Sequence, residues 1–225
     1  MAAVRQWRLM AVAAALALAM ALVWGPAAGA ARAAPVGTAV LKKGATGTEV
    51  AALQNELVGL GYWLGEADGV FDEDTRHAVI AFQKLSGLAR DGVVGPATRS
   101  VLDAAARPAA RTTAGHVIEI DLAHQVLLIV DDGTVSEAVD VSTGRRAGTT
   151  PAGTFTVERQ IDGLRRAPLG RLYRPKYIHG GVAVHGFTSV PTRPASHGCV
   201  RVTYTAMDHL WGPGVMPLGT PVVVY

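Results

Sequence analysis

The sequence predicts an α+β multidomain chain, a small three-helix bundle followed by a mainly β domain. Three observations carry this. Between residues 40 and 104, apolar residues recur at helical spacing in three blocks separated by glycine-containing turns. From His116 onward the apolar residues fall instead in short, partly alternating Val/Ile-rich runs. Between the two lies AARPAARTTA, residues 105–114, with the Ala/Pro/Thr/Arg composition of a short linker.

The elements follow in order. Residues 1–34 have Arg5 and Arg8, an Ala/Leu/Met/Val run to Trp24 and then small residues, the layout of a secretory signal peptide. Its apolar run approaches the length of a membrane span, but Gly25-Pro26 breaks it, and cleavage after Ala30, Ala33 or Ala34 is the expectation. An uncleaved leader would anchor the chain to a membrane. Val50, Leu53, Leu57 and Leu60 mark a first helix, with Thr48 as its N-cap and Gly59 and Gly61 at its end. Ala78, Val79, Phe82 and Leu85 mark a second, with acids at its start that suit the helix dipole. Pro96 opens a third. The turn Asp-Gly-Val occurs twice, at 68–70 and 91–93, each time just before a helix. Beyond the linker, HVIEIDL, QVLLIVDD and TVSEAVDVS read as strands, with Asp132-Gly133 as a hairpin turn. GTFTVERQ, GVAVHG and PVVVY continue the β pattern, and VTYTAMDHLWG reads as one late helix.

The formal net charge is +3, from 21 basic and 18 acidic residues. Arg5, Arg8 and Arg32 lie in the leader, so the rest of the chain is balanced and gives no reason to expect a nucleic-acid partner. Within it, residues 145–201 hold ten basic residues against Glu158 and Asp162. That basic segment surrounds Cys199, the only cysteine. No internal disulfide is possible, and a lone thiol in an exported chain is prone to oxidation unless it has a use.

The neighbours of Cys199 suggest that use. It sits in PASHGCVRV, and His185 ends an earlier β run followed by Gly186. An imidazole can take the thiol proton to leave a thiolate–imidazolium pair. Gly198 permits a sharp turn whose N–H groups could face an oxyanion. Arg201 adds positive charge that favours thiolate or holds a carboxylate. His185, His197 and Cys199, with His179, could instead ligate zinc, although their spacing is not a usual one for that metal and H-E-x-x-H is absent. His77, His116, His124 and His209 read as surface or core residues.

Residues 40–104 resemble the peptidoglycan-binding type 1 domain, through Leu53-Gln54, Leu60-Gly61-Tyr62, Asp68-Gly69-Val70-Phe71, Thr75, Phe82-Gln83, Asp91-Gly92, Val94-Gly95-Pro96 and Thr98. The family usually has Gly where this chain has Asp72. Residues 115–225 resemble the L,D-transpeptidase (YkuD-type) catalytic domain. The match rests on His185-Gly186, on Ser196-His197-Gly198-Cys199-Val200-Arg201, on STGRRAGTTPAGTFTV at 142–157 as a strand, and on the ending GTPVVVY. The resemblance implies a sandwich-like catalytic domain in which Cys199 is the nucleophile and His185 the proton acceptor and donor. It implies that the Gly186 carbonyl orients His185 and that His197 and Gly198 belong to the oxyanion region. Arg201, Ser196, His179 and Tyr177 would meet substrate, with Tyr173 a weaker candidate. The implied reaction joins peptidoglycan stem peptides by 3→3 cross-links through a Cys thioester, displacing the terminal D-Ala of a tetrapeptide donor. An L,D-carboxypeptidase on the same donor, or a non-catalytic wall-binding protein, are the alternatives. No metal, cofactor, nucleotide or nucleic acid is implied. β-Lactams, carbapenems above all, are implied as covalent inhibitors, and the cell envelope as the location.

Overall fold

The computed structural model describes residues 39–168 and 170–225; the leader at 1–34 lies outside the described residues. Three helices come first, α1 (Thr48–Gly59), α2 (Glu73–Leu85) and α3 (Pro96–Leu102). Thr48 is the first residue of α1 rather than its cap; Gly47 holds that position at φ 113 with no side-chain bond. α2 is capped by Asp72, which accepts from the Thr75 N–H at 2.8 Å. The departure from the family's glycine at this position therefore gives the helix a capping carboxylate. The recurrent Asp-Gly-Val turns share one wiring. The Gln54 side chain accepts from Gly69 N at 2.7 Å and donates to Asp68, the Val70 carbonyl and Thr75. Gln83 accepts from Gly92 N at 2.9 Å and donates to Asp91, the Val93 carbonyl and Thr98. Buried Gln54 and Gln83 thus satisfy the polar groups of two tight turns, as burial requires.

The second segment holds ten strands and one helix: β1 (His116–Asp121), β2 (Val126–Asp131), β3 (Thr134–Asp140), β4 (Gly153–Thr156), β5 (Arg159–Gln160), β6 (Leu164–Ala167), β7 (Gly170–His179), β8 (Val182–Gly186), β9 (Val200–Val202), α4 (Tyr204–Leu210) and β10 (Pro221–Val224). One sheet runs β3-β2-β1-β10-β4. The other runs β5-β7-β8-β9, with β6 also paired to β7. Asp132 and Gly133, at φ 45 and 81, make the β2–β3 turn with both central residues left-handed, the geometry that matches strand twist. The second sheet is richer than the sequence reading, which found no strand at β6 or β7. β6 is mostly exposed, and β7 buries a continuous mixed run, Pro175 to Ile178, so neither shows the apolar alternation that marks a half-buried strand. The stretch 142–150, expected to be strand, is irregular and only Gly153–Thr156 is regular.

β2 explains how the parts fit together. Leu127 and Ile129 face the core between the two sheets, with Ile118, Ile120, Val184, Val200 and Val222. Val126, Leu128 and Val130 face the other way and share a core with Val50, Leu53, Leu57, Phe71 and Phe82 of the helical segment. The run VLLIV is apolar throughout because both faces are covered.

The 105–114 stretch is fixed to the structure along its length. Arg107 donates to the carbonyls of Gly59, Val135 and Ser136 at 2.8–3.0 Å. Arg111 N and Thr112 N donate to the buried carboxylate of Glu119, at 2.9 and 2.6 Å. Its composition suggested a short linker. Its bonds make it a strap, because it supplies all but one of the donors to the buried Glu119 charge, the other being the Tyr225 hydroxyl at 3.0 Å.

Candidate active site

β8 and β9 lie side by side in parallel, with Val184 opposite Val200 and His185 opposite Arg201. Val184, Val200 and Val202 enter the core between the sheets. The two-residue period of a strand then turns His185, Arg201 and Cys199, the residue before β9, to the opposite face. All three line a cavity of about 230 Å³, together with Phe187, His197 and Gly198. A larger cleft of about 760 Å³ lies between the start of α2 and the Phe187–Arg193 segment, and shares Phe187 with the smaller one.

His185 is buried, and its Nδ1 lies 2.9 Å from the Gly186 carbonyl oxygen. A carbonyl only accepts, so this contact assigns the proton to Nδ1 and leaves the Nε2 lone pair free. Burial, helped by the Arg201 charge and opposed by the Gly186 bond, pushes the His185 pKa down to about 4. Burial also pushes the Cys199 thiol up, against the Ala183 N–H and the Arg201 charge, which both favour thiolate. The sulfur donates a long contact of 3.7 Å to the Gly181 carbonyl. Desolvation of both groups thus opposes the thiolate–imidazolium pair expected from the sequence.

The loop before Cys199 is held from several sides. Ser196 Oγ donates to the Cys199 carbonyl at 2.6 Å and accepts from Gly198 N at 3.0 Å. The Gly198 carbonyl accepts from Thr150 Oγ1 at 2.7 Å. Gly198 has φ 145, and a Cβ there would meet the Thr149 carbonyl oxygen at 2.7 Å. Both backbone groups of Gly198 are thus engaged, and its contribution is the shape of the loop. Ser196 is buried and acts as the same kind of brace.

Of the other sequence candidates, His197 and Arg201 line the cavity. Arg201 lies 4.2 Å over the Phe187 ring, and its buried Nε has no partner. His179 and Tyr177 do not line it. His179 packs on Phe155 at 4.9 Å, and buried Tyr177 lies under the Arg159 guanidinium at 3.7 Å. Tyr173 donates to Asp208 at 2.8 Å, outside the cavity. Sequence reasoning missed Phe187, whose ring meets His185 edge-on at 5.8 Å, and Arg171 and Leu172 of β7, which form a wall. The only available signal for the last two was the basic segment itself. Among the described residues, no three or more His, Cys, Asp or Glu side chains are grouped to hold a metal ion.

Residues 46–102 match the model of a peptidoglycan binding domain, and residues 115–224 that of the L,D-transpeptidase catalytic domain. The crystal structure of the L,D-transpeptidase (residues 123–326) from Xylanimonas cellulosilytica is 49% identical, with a TM-score of 0.78, and the match covers 82% of this chain and 97% of that one. Curated relatives match over shorter stretches. The N-acetylmuramoyl-L-alanine amidase CwlL of Bacillus licheniformis is 48% identical over 67 residues, 29% of this chain and 19% of its own. The spore cortex-lytic enzyme of Bacillus subtilis is 44% identical over 64 residues, 28% of this chain and 21% of its own. The chain thus spans about a fifth of the length of these curated relatives. The catalytic-domain match over the β segment, and the near-complete coverage of a relative at 49% identity, establish that the chain belongs to the L,D-transpeptidase family.

Proposed function

We propose that this chain is a peptidoglycan L,D-transpeptidase that forms 3→3 cross-links through a thioester on Cys199. The observation that carries the proposal is a buried imidazole with Nδ1 tied to the Gly186 carbonyl and Nε2 free, lining one cavity with the chain's only thiol. In the first step the Cys199 sulfur attacks the carbonyl of the third residue of a tetrapeptide stem and gives its proton to His185 Nε2. The tetrahedral oxyanion faces the backbone N–H of Cys199 and the Arg201 charge. Collapse breaks the bond to the terminal D-Ala, whose amine takes the proton from His185, leaving the thioester. In the second step the side-chain amine of another stem gives its proton to His185 and attacks the thioester. The sulfur departs, recovers that proton and is a thiol again. Bond energy passes through the thioester, so no nucleotide is consumed.

The helical segment is assigned the binding of wall polymer, and the leader at 1–34 the export of the chain to the cell envelope. β-Lactams, carbapenems in particular, are assigned as acylating inhibitors of the same sulfur. Incubation with purified tetrapeptide-stem muropeptides, read by mass spectrometry, tests the proposal. A cross-linked dimer with loss of D-Ala is expected from wild type and none from Cys199→Ala. A tripeptide alone would replace the reading with an L,D-carboxypeptidase. No product from either would leave a wall-binding protein without this chemistry.

A further inference from the structure

We propose that Lys84, in the helical segment, is a positioning residue for the loop that carries Cys199; this rests on Cys199 being the nucleophile. Lys84 is fully buried on α2, yet all three of its ammonium protons have acceptors, and every one belongs to the β segment. It donates to the Gln125 carbonyl at 2.9 Å, to the Val141 carbonyl at 2.8 Å and to the Asp140 carboxylate. Lys84 therefore clamps the turn between β1 and β2 to the end of β3.

From that clamp the bonds run on to the nucleophile. The Gln125 side chain accepts from Thr143 N at 2.8 Å and donates to Thr143 Oγ1 at 2.7 Å. The Thr143 carbonyl accepts from Ala195 N and Ser196 N, at 2.9 and 3.0 Å. Ser196 Oγ then donates to the Cys199 carbonyl. Gln125, Asp140, Thr143 and Ser196 are all buried, so water cannot readily replace a lost bond. Gln125 has φ 62, a conformation a non-glycine residue keeps only where its surroundings fix it. A helix of the N-terminal segment thus helps to set where the catalytic sulfur sits.

The test uses the full chain with two variants, Lys84→Met and Lys84→Met/Asp140→Asn. The second removes the charge stranded by the first, which separates stability from positioning. Three quantities are read: the melting temperature, donor turnover, and the pH profile of Cys199 alkylation by iodoacetamide from intact mass. The double variant is expected to recover the melting temperature lost by the single one. Its turnover stays about tenfold or more below wild type, the size of effect that mutations along coupled networks can reach, and its alkylation profile remains displaced. A folded double variant with turnover within about twofold of wild type and a superimposed profile overturns the proposal. If the double variant does not fold, Gln125→Met removes both side-chain bonds to Thr143 and cuts the same chain within the β segment. A slowed turnover and displaced profile there support the proposal, and wild-type behaviour overturns it. Alkylation needs no substrate. Absence of turnover in wild type would refute the function proposed above, while the profiles would still decide the role of Lys84.

Discussion

Burial opposes charge on both His185 and Cys199, and for the proposed reaction this predicts a distinctive pH dependence. An ordinary histidine is half protonated near pH 6.5. His185, desolvated, is held down to about 4. A general base works only when neutral, so kcat/KM for the donor is expected to hold as pH falls through 6.5 and to drop only near pH 4. An acid limb near 6.5 in a pH–rate profile would contradict a depressed His185. His185→Gln is expected to lower kcat/KM by about 10²–10⁴-fold, the usual contribution of a positioned proton acceptor, measured in the muropeptide assay. Cys199, His185 and Gly186 were legible in the sequence because H-G and S-H-G-C-x-R place reactive types beside glycines. Phe187 was not, since nothing local marks a phenylalanine that packs between Arg201 and His185. Nor could sequence show that the Gly198 N–H is already taken by Ser196.

At the scale of elements, legibility followed the surroundings of each strand and helix. β1, β2 and β3 have apolar residues where a sheet must bury them, and the Asp132-Gly133 pair announces its turn. β6 was invisible because exposed arginines carry no periodic signal, and β7 because its buried run, Pro175-Lys176-Tyr177-Ile178, mixes polar and apolar residues without alternation. The turn makes a specific prediction. Gly133 has φ 81, and an added Cβ would lie 3.2 Å from the Thr113 carbonyl oxygen. Gly133→Ala is therefore expected to destabilise the protein by about 1–2 kcal/mol, the cost of a left-handed non-glycine residue. Urea unfolding measures this, and a loss below about 0.5 kcal/mol would mean that the turn relaxes. Asp72→Ala, which removes the α2 cap, is expected to cost about 1 kcal/mol by the same measurement.

At the scale of the whole molecule, the sequence suggests two bodies on a linker, whereas the packing makes them interdependent. Helical periodicity showed one apolar face on α2, but His77 to Lys84 are buried without interruption, because the outer face of β2 and β3 covers what a free helix would show to water. The polar members of that run could not be read as interface from sequence, since a histidine and a lysine on a helix ordinarily face solvent. Here both meet Asp140: His77 Nδ1 lies 2.6 Å from one carboxylate oxygen and Lys84 contacts the other. Burial lowers the Lys84 pKa, and the Asp140 carboxylate opposes that shift by charge and hydrogen bond. Asp140→Ala leaves that ammonium buried with two carbonyls and no counter-charge. Removing one member of such a pair costs about 3–5 kcal/mol. Because the helices and β2 share one core, the loss should reach both segments together. Calorimetry of the full chain is expected to show one transition before and after the substitution, displaced to lower temperature. Two transitions, with only one of them moved, would mean that the helices and the sheets unfold as independent bodies and that the shared core does not couple them.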